Sequence, residues 1–383
     1  MPTATEPIFL EGRRKAALAL TSTLPLPSKL DEAWRRTSVE GLEVSQYKPV
    51  PARVTLKGSV PEGVIFTDIL TAAANHSDLV AQYLGSLFRM DQNLLTASQA
   101  AHLNGGAFLY VPRGVSVTEP LQVVYEAADG EAQYLHTLVV VEENAEVTLL
   151  ERYEGTGDYL HVGVVELFPK QGARVRYGYL QNHSEDAWAF TFRRGKTGRD
   201  STLDWAGGEF GGSLVRSEII NEMNGEGSES KLKVVFGATD RQHQDLVAHQ
   251  VHTGSNTHSD ILGRGVLSGR AHTVFRGNGQ IDHAAKNAST YQRQQALVLS
   301  DKGARADSIP ALIINEHEVA GAGHAATVGQ LDEEQLFYLM ARGLSRKEAI
   351  HMLVLAFLGP VLEQIPVEEL REEMTRLMGE KVK

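Results

Sequence analysis

The chain has 383 residues, no cysteine and a formal net charge of −11 at pH 7. Without cysteine there are no disulfides, thiolate nucleophiles or thiolate metal ligands, so any metal must be held by histidine, carboxylate or a partner's sulfur. The acidic balance and the scattered Lys and Arg exclude a general nucleic-acid or anionic-membrane binder, while 42% hydrophobic residues are enough for a sizeable core.

At the N-terminus Glu6, Glu11, Arg13, Arg14 and Lys15 occupy the place where an export leader needs a continuous apolar run. The strongest apolar run, Met352 to Leu358, is far too short to span a bilayer, so a cytoplasmic protein is expected. Residues 1–103 are predicted as an N-terminal helical region. Arg14 to Leu20 is a helix-like run, and Leu24 to Ser38 leads into a short helix carrying Trp34. Pro49, Pro51 and Pro61 mark a looser linker. From Thr67 to His102 apolar residues recur at helical spacing, among them Ile69, Leu70, Ala73, Val80, Leu84 and Leu95.

At Asn104 the texture changes to glycine, β-branched residues and period-two alternation. The turn residues Gly114, Asn144, Gly172, Gly198 and Gly227 stand 30, 28, 26 and 29 positions apart by subtraction. Gly269 (in LSGRAHTVF) and Gly303 (in SDKGARADS) follow 42 and 34 further on, which implies insertions between coils. A degenerate repeat without helices predicts stacked coils, because each coil can bury its apolar face only against the next. Residues 104–323 are therefore expected to form a right-handed parallel β-helix core of roughly seven or eight coils, with a two-sheet sandwich as the competing fold.

Residues 324–383 are predicted as a C-terminal helical domain. Asp332 with Gln335 and Ser345 with Glu348 have capping-box spacing, and Gly343 separates the two helices they open. The second runs through Ile350, Leu353, Val354 and Phe357 and is expected to end at Gly359-Pro360. A third carries Val367, Leu370, Met374 and Leu377, with Lys381 and Lys383 at its end. So small a module must pack on the body or on a partner; packing on the last coil is the plain expectation, with a second face offered for docking.

Histidine is concentrated late in the chain. His243, His249, His252 and His258 have ligand-like spacing, but an odd interval sends His249 and His252 to opposite faces of a strand. Gly277-Asn278-Gly279 lacks the partners of a phosphate loop and reads as a tight turn. Asp240, Asp245 and Asp260 are the acids that a β-helix carbohydrate-active enzyme, a lyase or hydrolase, would align. His324 differs from the other histidines: Ala320, Gly321, Ala322, Gly323, Ala325 and Ala326 leave its imidazole unobstructed, in what reads as a small-residue loop.

The stretches HTGSNTHSDILGRGVLSGRAHTVFRG (His252 to Gly277) and HAATVGQLDEEQLFYLMARGLSRKEAIHMLVLAF (His324 to Phe357) resemble the SufB/SufD family of SUF iron–sulfur cluster assembly proteins. EAWRRTS and LYVPRGV are similar to the same family. The resemblance implies a non-catalytic scaffold with a helical N-terminal region, a right-handed parallel β-helix and a C-terminal helical domain. It also implies pairing with SufB through the β-helix and with the SufC ATPase through the C-terminal helices. SufB is the branch expected to supply an essential cysteine, so a cysteine-free chain is closer to the SufD branch.

His324 matches the histidine of the family's Cys-Ser-His-Gly-Ala-Thr-Val-Gly-Gln-Leu motif, which is implicated in building the nascent cluster at the SufB interface. Here Ala322 and Gly323 stand at the cysteine and serine positions, and the preceding loop is one residue longer. The implied metal contact is thus His324, toward a transient iron–sulfur cluster shared with SufB in the complex, with the sulfur supplied by the partner. FAD binding by the complex, its stoichiometry and homodimer formation by the isolated chain are left open by the sequence.

Overall fold

Period-two alternation governs the chain from Gly105 to Gln330, with one set of residues in each run facing a common interior. The computed structural model describes residues 6–299, 303–365 and 367–382. The first three residues of SDKGARADS, and Lys383, lie outside the described residues.

One sheet holds β4 (Gly105–Val111), β6 (Glu131–Val141), β8 (Leu160–Pro169) and β10 (Trp188–Thr197). It continues through β12 (Leu214–Met223), β14 (His243–His252), β16 (His272–Ile281) and β18 (Arg305–Ile314). The other holds β5 (Leu121–Ala127), β7 (Glu146–Gly155), β9 (Arg174–Asn182) and β11 (Thr202–Glu209). It ends with β13 (Glu229–Ala238), β15 (His258–Leu267), β17 (Ser289–Val298) and β19 (Gly321–Gln330). Neighbours within each set pair in parallel, and successive strands go to opposite sheets. Among the described residues, β4 to β19 thus make eight coils of two strands, a parallel β-helix rather than a sandwich.

The turns explain the repeat and correct one reading of it. Gly114, Asn144, Gly172, Asp200, Gly227, Asn256 and Asn287 all have positive φ and form one corner column. Each N–H donates to a carbonyl in the next turn of the column, as Gly172 does to Arg199 at 2.8 Å and Asn256 to Lys286 at 2.8 Å. Gly198 is not in that column; Asp200 is. Gly269 belongs to the opposite corner, where Arg270 N–H donates to Asp240 O at 2.6 Å, and Gly303 lies in the corresponding connection before β18. The apparent insertions came from reading two corners as one: Asn256 and Asn287 continue the first column at intervals of 29 and 31.

Inside the coils, Leu121, Leu149, Tyr177, Trp205, Leu232 and Ile261 follow one another in register across the second sheet. All are buried in the main core, and full burial of each such side chain contributes about 1.5–3 kcal/mol.

The N-terminal end is closed. Within the stretch read as a linker, β1 (Lys48–Pro49) lies beside β6, β2 (Arg53–Lys57) runs antiparallel to β5, and β3 (Ile65–Asp68) antiparallel to β4. These strands cover the edges of the first coil, and the prolines fall at strand ends or between strands, where the missing N–H is tolerated. Helices α1 (Ile8–Thr21), α2 (Ile69–Asn75), α3 (Ser77–Tyr83) and α4 (Leu94–His102) lie near this end. Leu10, Ile69, Val80 and Tyr83 pack on Phe108, Leu138, Val140 and Phe168.

Between α1 and β1 the chain forms a strap. Trp34, in a turn of 3-10 helix, packs with Val39, Leu42 and Tyr47 on Val162, Phe190 and Phe192 of the first sheet.

At the other end β18 and β19 have no further strand beyond them among the described residues. Strand β19 crosses residues 323 and 324, where the sequence divided coil from helix, and the next helix starts only at Glu333. Helices α5 (Glu333–Ala341), α6 (Arg346–Leu362) and α7 (Glu368–Lys381) follow. Asp332 caps α5 by accepting from Glu334 N–H and Gln335 N–H, and Ser345 and Glu348 make the full reciprocal box on α6.

Two expectations about these helices are corrected. They do not sit on the last coil: Val354, Leu358, Leu370 and Met374 pack along the outer face of the second sheet, on Leu150, Leu180, Val235 and Leu262. Nor does α6 stop at Gly359-Pro360. It runs on to Leu362 because Val361 and Leu362 bury there, while Ala356, whose carbonyl loses its helical donor at Pro360, is exposed to water. Among the described residues no helix is long and apolar enough to cross a membrane.

Candidate functional site

His324 lies in the middle of a strand, not in a loop. Its register partner on β17 is Gln292, whose partner on β15 is Ile261. Ile261 and Gln292 are buried in the coil interior, so the alternation directs Ala322, His324, Ala326 and Val328 to the same inner side of the last coil. Because no coil follows, His324 is exposed. The imidazole therefore stands at the open mouth of the solenoid.

The interior changes chemistry just beneath it. Thr290, Gln292 and Gln294 are each about 1% exposed; Gln292 continues a column that is apolar deeper in the stack, Ile261 and Leu232, while Thr290 follows Ser259 and Ser230. Gln292 Nε2 donates to Ala311 O at 2.7 Å, reaching from β17 to the opposite sheet. Gln294 and Ser308 hydrogen-bond at 2.6 Å across the same gap. Gly277 faces these amides and Gly279 faces Thr290; a Cβ on Gly277 would collide with Gln292 and Gln294, and one on Gly279 with the Thr290 side chain. The Gly-Asn-Gly stretch is thus part of β16 rather than a tight turn, and its glycines make room in the interior.

On the outer side of β19, small residues serve a different neighbour. A Cβ on Gly321 would collide with the Tyr291 phenol, and one on Gly323 would lie 3.3 Å from the Tyr291 ring. Tyr291, His258, Asp260 and Arg293 line a depression of about 510 Å³ beside Gly323 and His324. Arg293 and Asp260 pair at 3.6 Å, and His258 Nδ1 hydrogen-bonds Ser289 Oγ at 2.7 Å.

The other histidines do not converge. His243 lies under the strap, 3.0 Å from Thr37 Oγ1, with its ring 4.8 Å from that of His272. His249 meets Asn278 at 3.1 Å. His252 is buried in the interior between Thr257 at 2.7 Å and Ser259 at 2.8 Å; burial first, then His258, pushes its pKa down to about 4. Among the described residues no group of three His, Cys, Asp or Glu side chains could hold a metal ion. The three acids considered for sugar cleavage also separate: Asp240 is at a corner, Asp245 under the strap, and Asp260 on the other sheet's outer face.

Gln292, Gln294 and Tyr291 were not singled out from sequence. The available signal was the alternation Thr290-x-Gln292-x-Gln294 opposite Gly277-x-Gly279, a polar stripe at strand spacing that meets a small-residue stripe.

The molecule is a parallel β-helix closed by antiparallel strands at one end and open at the other, with one exposed inward histidine at the opening. Residues 123–357 match the model described as SUF system FeS cluster assembly, SufBD core domain, and residues 47–123 match the SufBD protein N-terminal region. The chain is 38% identical over 345 residues to the iron–sulfur cluster assembly protein SufD of Bacillus subtilis, covering 88% of this chain and 78% of that protein. It is 30% identical over 321 residues to SufB of the same organism, covering 83% of this chain and 68% of the relative. The chain belongs to the SufB/SufD family of the SUF iron–sulfur cluster assembly system.

Proposed function

We propose that this chain is a non-catalytic scaffold subunit for iron–sulfur cluster assembly, pairing with a SufB-type subunit at the open end of its β-helix. The observation that carries the reading is the exposed His324 on the inner side of an unpaired terminal strand. Edge strands β18 and β19 offer unsatisfied backbone groups to another chain, and Ile313, Ile314 and Val328 add exposed apolar surface beside them. The β-helix in this reading is right-handed, as parallel crossovers are. Residues 1–103, 104–323 and 324–383 act as N-terminal region, coil core and C-terminal domain, with β19 carrying the junction.

The growing cluster is cargo rather than a resident cofactor. A neutral imidazole can share iron with thiolates, and with no cysteine in this chain the thiolate belongs to the partner. His324 either donates a ring nitrogen to iron or positions the bridging species. The C-terminal helices recruit a SufC-type ATPase: Phe337, Tyr338 and Met340 of α5 and Met352 of α6 are exposed, while the opposite sides of α6 and α7 hold the module to the coils. The complex works in the cytoplasm, and no residue of this chain is assigned to FAD.

The test is a complex reconstituted with SufB-type and SufC-type subunits. His324→Ala should assemble normally and fail to build cluster, measured as bound iron and sulfide. Undiminished cluster formation would sink the reading. Removing the residues after Leu331 should abolish ATPase binding in a pull-down while the coils stay folded; retained binding would refute the docking role.

A further inference from the structure

We infer that Gln292 is a positioning residue for the cluster-building site, holding the strand that carries His324 at a set height over the mouth of the β-helix. The inference rests on the reading of His324 as the residue that meets iron. It is carried by the register, because Gln292 lies directly beneath His324 on the neighbouring parallel strand and on the same inner side. In this column the residues deeper in the stack, Trp205, Leu232 and Ile261, are aromatic or aliphatic. A buried amide replaces them only at the position under the histidine, although burying an amide is unfavourable unless its hydrogen bonds are made.

The amide is engaged. Its Nε2 donates 2.7 Å to the Ala311 carbonyl of β18, so it ties the strand that supports β19 to the opposite wall. Gln294 and Ser308 make a second tie one step along the same strands. Side-chain bonds between the sheets also occur deeper, as from Gln133 Nε2 to Glu126 O at 2.7 Å and from Gln244 Nε2 to Gly237 O at 3.2 Å, but there coils on both sides hold the sheets as well. At the open end there is no coil above, so the bonds across the gap carry more of that task. Gly277 is shaped to the same purpose, since any side chain there would displace the Gln292 amide.

An apolar residue of equal volume at 292 would fill the space without anchoring Ala311. The last coil would still form, but the mouth would be free to widen and His324 to shift against a partner's thiolate. Loss of a group that orients a metal-binding residue lowers metal retention about tenfold or more.

The experiment uses the full chain in the reconstituted complex with its SufB-type and SufC-type subunits. Gln292→Met keeps the volume and removes the amide. Partner binding and the thermal midpoint should match wild type, while retained iron falls about tenfold and the Mössbauer spectrum of the remaining iron changes. Iron retention and a spectrum equal to wild type would overturn the inference, and so would a parallel loss of partner binding and iron, which marks a merely structural role. If Gln292→Met does not fold, Gln292→Leu is read by the same criteria, as it also removes the Nε2 donor and leaves an apolar side chain of similar size. His324→Ala separates the two levels of the argument: if it builds cluster normally, the reading of His324 falls. If it fails while Gln292→Met is normal, only the role of Gln292 falls.

Discussion

Asp245 and Arg216 face each other at 2.5 Å on adjacent strands, and both side chains are almost wholly removed from water. Arg276 joins the same carboxylate at 3.0 Å, and Thr37 donates to it from the N-terminal strap. Both guanidinium groups also donate to Ala33 O, and Arg216 lies 4.3 Å from the Trp34 ring centre. The carboxylate thus binds the strap to a coil 208 positions later in the chain, counted from Thr37. Asp245→Ala leaves Arg276 without its carboxylate and Arg216 with only Glu218 at 3.3 Å, and the expected loss is up to about 3–5 kcal/mol. Urea unfolding measures that loss, and a red shift of tryptophan emission should report exposure of Trp34.

Met374 of α7 is fully buried against the second sheet. Its replacement by Ala should destabilise the docked helices by about 2–5 kcal/mol through lost burial and the cavity left behind. Limited proteolysis should then cut after Gln330 faster than in wild type, with the coil core preserved.

Two interior histidines make stability fall in acid. Burial, then His258, pushes His252 down to about 4; burial, then Arg193, pushes His183 down to about 3. The unfolded chain protonates both near pH 6.5, so it binds more protons than the folded chain below that value. Their contribution is intact above pH 6.5 and is lost as pH falls toward the folded values. At pH 5 the loss is roughly 2 kcal/mol for each. Thermal midpoints measured from pH 7 to pH 5 should fall, and His252→Asn should flatten part of that slope.

The corner column predicts an asymmetry between substitutions. Asn256, at φ 57°, already has the backbone conformation that glycine adopts freely, so Asn256→Gly should be nearly neutral apart from its exposed side-chain bonds to Asn287 at 2.8 Å and Glu226 at 3.3 Å. Gly227→Val meets both the left-handed conformation at φ 73° and the Asp200 side chain. It should cost at least about 1–2 kcal/mol, read as a lower denaturation midpoint.

Much of the architecture was legible because it depends on local patterns. Alternation marked the strands, and the Ser345–Glu348 box marked the start of α6. The end of α6 was misjudged because burial of Val361 and Leu362 outweighs the proline signal. The linker prolines concealed β2 and β3, whose partners lie 39 to 73 positions away in β4 and β5.

The sequence by itself determined the coil repeat, the three C-terminal helices and the absence of any thiol in this chain. It also picked out His324 among many histidines by its small neighbours. These follow from propensity, capping and turn conformation, which act over a few residues. Only the tertiary structure decided that His324 is part of a strand, that it faces inward and that Gln292 lies beneath it. A slip of one residue in register would turn every side chain of β19 to the other face, and register is set by packing and pairing across coils about 30 residues apart. The same holds for the strap and the docked helices, whose positions depend on apolar surfaces that distant parts of the chain bury together.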